Sequence, residues 1–270
     1  MLELTRTVRF VIPLCGNQAE NPFNGLPSGS NTFAGVPAVS GIGGFHEIDV
    51  AVRGLANQTT GYLINISHID QAVRTVALPL IWELVQADPL VKPAAVLFQV
   101  LPVLQKHLGG MVTRLTWRLS PYHAQTMTAS SPDLVSISQQ FEFSASHRLN
   151  VATLTPQQNR EIFGKCNNPN GHGHNYRIEP TVAVPINPPT GARPFTLHDL
   201  ERIVNQTVIQ RFDHKHLNLD TSEFAQLNPS VENIERVCHD LLRDPLAAAG
   251  ATLQRVTIWE TEKTRCTYPA

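Results

Sequence analysis

The stretch GHNYRIEPTV, residues 173–182, follows a run of Gly, Asn and Pro and has the composition of a strand leaving a turn. GFHEIDVAV, residues 44–52, does the same in the first half of the chain. Outward from each stretch, similar elements recur in the same order. A strand-like run precedes each across a long Gly/Asn/Pro-rich connection, Val8–Ile12 in one case and Gln140–Ser144 in the other. A hairpin-like segment follows, around Thr59–Gly61 or Pro189–Gly191, and then an amphipathic helix. In the second half Leu197, Leu200, Val204 and Val208 recur at helical spacing, with Thr196 as N-cap and Asp199 three residues on. In the first half Ile66, Ile69 and Val73 keep that spacing, with Ser67 and Asp70 at the start. A second helix follows in each, Ala94–His107 interrupted by Pro102, and Val231–Leu242 with Ser230 as N-cap. Each half closes on strands that include Arg114–Trp117 or Arg255–Trp259.

The order strand, strand, helix, helix, strand, strand, read twice, predicts an α+β protein with helices on one face of an antiparallel sheet. The polar segment Ala129–Asp133 has the composition of a linker. It divides the chain into residues 1–131 and 132–270. A duplicated domain accounts for the shared order better than coincidence does.

Composition narrows the partners. Hydrophobic residues make up 42% and charged residues 16% of 270, enough for packed cores and against wholesale disorder. The net charge of −1 argues against nucleic acid or an anionic membrane as partner. No apolar run is long enough to span a bilayer, and the N-terminal residues are a poor signal peptide. Cys15, Cys166, Cys238 and Cys266 show no framework spacing, so we expect reduced thiols and a cytoplasmic protein.

The segment FGKCNNPNGHGHNY, residues 163–176, holds the residues with chemistry. His172 and His174 are two apart and face one side of a strand. His147 shares strand parity with Phe141, Phe143 and Ala145. If the two strands pair, three imidazoles converge, the donor set of catalytic zinc with an open fourth position. An HxH pair in a Gly-rich segment is weak evidence alone; His147 and Cys166 strengthen it. Cys166 has polar neighbours, Lys165, Asn167 and Asn168, unlike a core cysteine. A thiol beside a dication and a lysine is reactive, as general base or as nucleophile. Asp213 beside His214 has the makings of an orienting pair, or of a polar helix terminus. Glu260 follows Ile258 and Trp259 and could take a bidentate hydrogen bond from a ligand with adjacent N–H groups, or simply face solvent.

FSASHRL (143–149), FGKCNNPNGHGHNY (163–176), FDHKHLN (212–218), NPSVEN (228–233) and WET (259–261) together resemble the 6-pyruvoyltetrahydropterin synthase family, which includes the 6-carboxytetrahydropterin synthases of queuosine biosynthesis. The resemblance covers nearly all of the second half, in family order. It implies the tunnelling fold (T-fold): two tandem domains here, each a four-stranded antiparallel sheet with two helices on one face. It implies that His147, His172 and His174 bind zinc, and that Cys166 is the catalytic base. It makes Asp213 and His214 a proton relay, often contributed across a subunit interface. Glu260 would anchor the pterin ring, with Ser230 nearby. The implied reaction converts 7,8-dihydroneopterin triphosphate to 6-pyruvoyltetrahydropterin with loss of triphosphate. Arg148, Lys165 and Lys215 are candidates to hold that leaving group. A homo-oligomeric ring of T-fold domains is the implied assembly.

The alternatives are the 6-carboxy product with acetaldehyde released, an aldolase-type cleavage of dihydroneopterin, and an inactive zinc-binding scaffold. Five residues separate Cys166 from His172, as in the pyruvoyl branch, whereas the carboxy branch more often has three. Val231 stands where the family often has Thr. Most single-domain members lack the first half. That half has Gly44-Phe-His46 where the zinc pair is expected and Leu119 in the place of Glu260, so it reads as a degenerate, non-catalytic repeat.

Overall fold

The computed structural model describes residues 1–13, 22–23, 31–38, 42–187, 190 and 193–269. Two compact units emerge. One comprises Met1–Ile137 with Pro185–Asn187, the other Ser138–Val184 with Pro188–Ala270. Cys15 and the expected hairpin residues Pro189 and Gly191 lie outside the described residues.

In the first unit β1 (Leu2–Pro13) and β2 (Gly43–Gly54) are followed by α1 (Ile66–Ala72), α2 (Leu78–Ala87) and α3 (Pro93–His107), then β3 (Val112–Ser120) and β4 (His123–Thr128). The sheet runs β1-β2-β3-β4, antiparallel throughout. Alternation places Val8 and Phe10, Ile48 and Val50, and Leu115 and Trp117 in one core with Ile69, Leu78, Ile81, Leu97 and Leu104 of the helices. Asn65, rather than Ser67, caps α1 and accepts the Ser67 N–H. Asp70 is buried and takes both Arg6 donors, at 2.8 and 2.7 Å. Pro102 does not interrupt α3; it sits on the exposed side of the helix. The polar stretch 129–133 is no linker. Residues 129–130 turn, and β5 (Ser131–Gln139) begins at once and lies beside β4.

The second unit repeats the order with additions. β6 (Phe141–His147) leads through α4 (Pro156–Phe163) to β7 (His172–Pro185). α5 (Leu197–Val204), α6 (Gln210–Phe212), β8 (Lys215–His216), α7 (Leu217–Asp220) and α8 (Val231–Ala248) follow, then β9 (Thr252–Thr261) and β10 (Thr264–Tyr268). The order β6-β7-β9-β10 is antiparallel, and the short β8 adds a parallel edge on β6. Thr196 and Ser230 cap α5 and α8 as expected. A π-helical segment continues the first helix of each unit, Val73–Ala77 after α1 and Asn205–Ile209 after α5.

The two sheets share register down to one irregularity. β2 and β3 slip between Ala51↔Arg114 and Val52↔Val112; β7 and β9 slip between Thr181↔Arg255 and Val182↔Leu253. Thr116 and Thr126 share a cross-strand hydroxyl bond of 2.9 Å, and Thr257 and Thr267 share one of the same length at the matching place. Thr7 bonds Asp49 across β1 and β2, and at the matching place Gln140, just before β6, bonds Glu179 on β7.

This register corrects one expectation. His46 stands opposite Phe10 as Tyr176 stands opposite Phe143, so His46 occupies the place of Tyr176 and not that of a metal-site histidine. The residues in register with His172 and His174 are Ile42 and Gly44. Leu119 does take the place of Glu260. His46 instead packs between Phe10 and Trp117, with ring centroids 5.5 and 5.6 Å away. The metal content of His46→Ala, by elemental analysis, should equal that of the parent protein. A fall of one ion per chain would show that the first unit holds metal.

Candidate active site

The pairing of β6 with β7 sets the site. His147 lies opposite His172 and Ala145 opposite His174, so parity turns all three imidazoles to one face. Their donor atoms lie within 4.8 Å of one another. His147 Nε2 and His172 Nε2 are 3.2 Å apart. Two ligands ~2.0–2.1 Å from a tetrahedral ion stand ~3.3 Å apart, so this spacing fits a metal. His174 Nε2 is buried without a hydrogen-bond partner, as a ligand waiting for an ion would be. Glu260, on β9, brings Oε1 to 3.7 Å from both His147 Nε2 and His174 Nε2. Among the described residues this is the only group of three or more such side chains spaced to hold an ion.

Local structure orients the ligands. His147 is fully buried, and its Nδ1–H donates to the Pro229 carbonyl at 2.6 Å, leaving Nε2 free for the metal. Pro229 immediately precedes Ser230, whose side chain accepts the Asn233 N–H at the start of α8. Tyr176 lies beneath, stacked on Phe143 at 5.1 Å and edge-on to His174 at 5.6 Å. Burial keeps its phenol protonated well above the usual range. Gly171 has φ +72°, and a Cβ there would meet His216 Nε2 at 2.8 Å and the His147 carbonyl at 2.9 Å. No other residue fits that approach.

Asparagines build the loop. Asn167 donates to the Leu149 carbonyl and to Asn150 Oδ1. Asn168 donates to the Gly171 carbonyl, and Leu149 N–H donates to the Cys166 carbonyl. Asn218 clasps Arg148 from both sides, accepting its N–H and donating to its carbonyl. Cys166, half-buried, and His172 then share the wall of a cleft of about 1020 Å³.

Asp213 and His214 do form a pair, with Nδ1–H of His214 donating to Oδ2 at 2.8 Å. The Ser144 N–H holds Asp213 Oδ1 at 2.8 Å. That bond and the imidazole hold the carboxyl below the usual carboxylate range. His214 has φ +56° and a side chain 83% exposed. Among the described residues, no hydrogen bond, ion pair or ring contact joins this pair to Cys166 or the three histidines. The structure therefore gathers His147, His172, His174 and Glu260, puts Cys166 on a cleft wall with His172, and leaves His214 exposed beside a half-buried Asp213.

Sequence reading missed Tyr176, the Pro229 carbonyl and α4. Only α4 had a local signal, the capping box of Thr155 and Gln158 with Pro156 at the first turn.

A family model described as 6-pyruvoyl tetrahydropterin synthase matches residues 136–270. The 6-pyruvoyl tetrahydrobiopterin synthase of Homo sapiens is 39% identical over 132 residues, 49% of this chain and 89% of that protein. Its Drosophila melanogaster namesake is 39% identical over 126 residues, 47% of this chain and 74% of that protein. Among solved structures, Caenorhabditis elegans 6-pyruvoyl tetrahydropterin synthase has 32% identity, covers 50% of this chain and 94% of its own, and gives a TM-score of 0.46.

Burial holds His46 and His147 neutral, their pKa lowered from 6.5 to about 4. The unfolded chain takes up those protons near pH 6.5, the folded chain only near 4. Within that window the unfolded state binds more protons, so stability is lost as pH falls through it. The urea midpoint of metal-free protein should drop between about pH 6.5 and 4. A midpoint constant across this range would contradict the assignment.

Proposed function

Because the chain belongs to the 6-pyruvoyl tetrahydropterin synthase family, we propose that its second unit converts 7,8-dihydroneopterin triphosphate to 6-pyruvoyltetrahydropterin in the cytoplasm. Its relatives make it an enzyme of the lyase type with a pterin substrate. The observation that carries the specific reading is the convergence of three imidazoles beside a cleft that also holds Cys166.

Each side chain has a task. His147, His172 and His174 would hold zinc, with one nitrogen of His147 already committed to Pro229. Zinc bound there supplies Lewis-acid polarisation of the substrate's side-chain hydroxyls. Cys166 takes a proton from the side-chain carbon skeleton as general base. Glu260 accepts hydrogen bonds from the exocyclic amine and ring N–H of the pterin. Electrons leaving the side chain reduce the ring, so no redox cofactor enters. Asp213 fixes His214 with Nδ1–H inward and Nε2 outward, ready to relay a proton. Ser230 supports the site from the cap of α8.

The exposure of His214 favours work in a neighbouring subunit's site. Among the described residues β1 pairs only with β2 and β10 only with β9, which leaves strand edges for a ring of chains. The first unit, with Ile42, Gly44 and Leu119 in place of His172, His174 and Glu260, is a degenerate T-fold repeat that contributes sheet rather than chemistry. The common bulge and matched threonine pairs support duplication.

Two outcomes test this. Cys166→Ala should keep its metal while turnover of dihydroneopterin triphosphate, followed by mass analysis of the product, falls roughly 10²–10⁴-fold. Near-parental activity would remove Cys166 from the mechanism, and a 6-carboxy product would transfer the protein to the other branch. Mixed assemblies of Cys166→Ala and His214→Ala chains should regain part of the activity that each lacks alone. No recovery after verified subunit exchange would place His214 within its own chain's site.

A further inference from the structure

A carboxyl lies unpaired in the second unit, in the seam where α8 packs on β10. Glu235 on α8 is fully buried, and neither of its oxygens has a hydrogen-bond partner. Such a place disfavours the carboxylate far more than the neutral acid. The groups round it do not offset a negative charge. On α8 itself Asp240 opposes the carboxylate and Arg236 favours it, and the Cys238 thiol lies one turn on. β10 brings the Cys266 thiol and the Tyr268 N–H. Glu223, ahead of α8, and Glu232, in its first turn, add negative charge at the two thiols. Burial and Asp240 outweigh the Tyr268 N–H and Arg236, and push the Glu235 carboxyl from 4.5 to about 8. Burial likewise raises both thiols, so neither supplies a charge.

The strand over this carboxyl is lightly held. β10 is five residues long and, among the described residues, pairs only with β9. Arg265 stands opposite Trp259 and Cys266 opposite Ile258, so β10 braces β9 next to Glu260. Tyr268 meets α8 edge-on at His239, with ring centroids 5.0 Å apart. The first unit shows what an ordinary seam contains. Leu97 is the fifth residue of α3 as Glu235 is the fifth of α8, and it is fully buried with Val100, the counterpart of Cys238. An apolar side chain there serves the helix and sheet without any ionisable group. The carboxyl of Glu235 therefore adds something that packing does not require.

We propose that Glu235 is a proton-operated latch: as the neutral acid it lets β10 lie closed on α8, and its deprotonation releases β10 and leaves β9 braced on one side only. The closed seam holds the proton; the open seam, with the carboxyl in water, gives it up at the ordinary value. Opening is therefore favoured as pH rises from 4.5 toward about 8, and levels off above that, where the closed seam is itself ionised. Between pH 6 and 8 the open population should grow about fiftyfold. This slope opposes that of His46 and His147, whose two imidazoles outweigh one carboxyl below pH 6.5. Neither metal nor substrate takes part, so the latch stands apart from the reading of the second unit as a pterin synthase.

Amide hydrogen exchange of the full-length protein, read by mass spectrometry and corrected for the intrinsic pH dependence of exchange, is the measurement. Protection of β10 (Thr264–Tyr268) should fall about fiftyfold from pH 6 to 8 in the parent and hold level above 8. In Glu235→Gln and Glu235→Leu it should stay level throughout, and β4, the matching strand of the first unit, should stay level in every chain. The Leu variant installs the residue that α3 already carries, so a readable chain remains if the Gln variant misfolds. Level protection of β10 in the parent, or the parent's pH dependence in a folded variant, would overturn the latch. The infrared spectrum of the parent at pH 6 should also hold a carboxylic-acid carbonyl band that is lost by pH 9.5. Absence of that band at pH 6 would show Glu235 already ionised and overturn the latch without any variant.

Discussion

The hydrogen bond from His147 Nδ1–H to the Pro229 carbonyl, 2.6 Å long and fully buried on the imidazole side, is the contact on which the site depends. It joins β6 to the segment that starts α8. It selects the tautomer, since a donor at Nδ1 leaves a lone pair at Nε2. With that ring fixed, the opposition of His147 and His172 brings their Nε2 atoms to 3.2 Å, and His174 joins from the next inward position on β7. The carbonyl is available because Ser230 is the N-cap of α8, so Pro229 lies outside the helical hydrogen-bond ladder.

The loop from Phe163 to Gly171 places a thiol beside those ligands through side-chain amides. Asn159, Asn167, Asn168 and Asn218 bond to backbone groups that no strand or helix satisfies. Gly171 makes the last turn at a positive φ, against the His147 carbonyl and the His216 ring. The loop is polar because it is held by hydrogen bonds.

The two units share several features of register and differ at one face. Both keep the bulge, the cross-strand threonines and a helix with a π-helical continuation. They differ at the face where the imidazoles sit. Ile42 and Gly44 stand there in place of two histidines and offer no imidazole. His46 takes the place of Tyr176 in the layer below and packs against Phe10 and Trp117, much as Tyr176 packs against Phe143.

Much of this was legible in the chain itself. Strand parity put His172 and His174 on one face, and the caps Thr196 and Ser230 marked two helix starts, because periodicity and capping are local. The motif around Cys166 pointed to the family, and residue identity put Leu119, not a carboxylate, in the place of Glu260. Tertiary structure alone decided the rest. Strand register is a non-local choice, so only the paired sheets showed that His46 matches Tyr176 and that 129–133 is a turn into β5. The Pro229 carbonyl has no side chain to announce it, and Asn159, Arg148 and Arg160 meet one cleft only after the chain has folded back through α4.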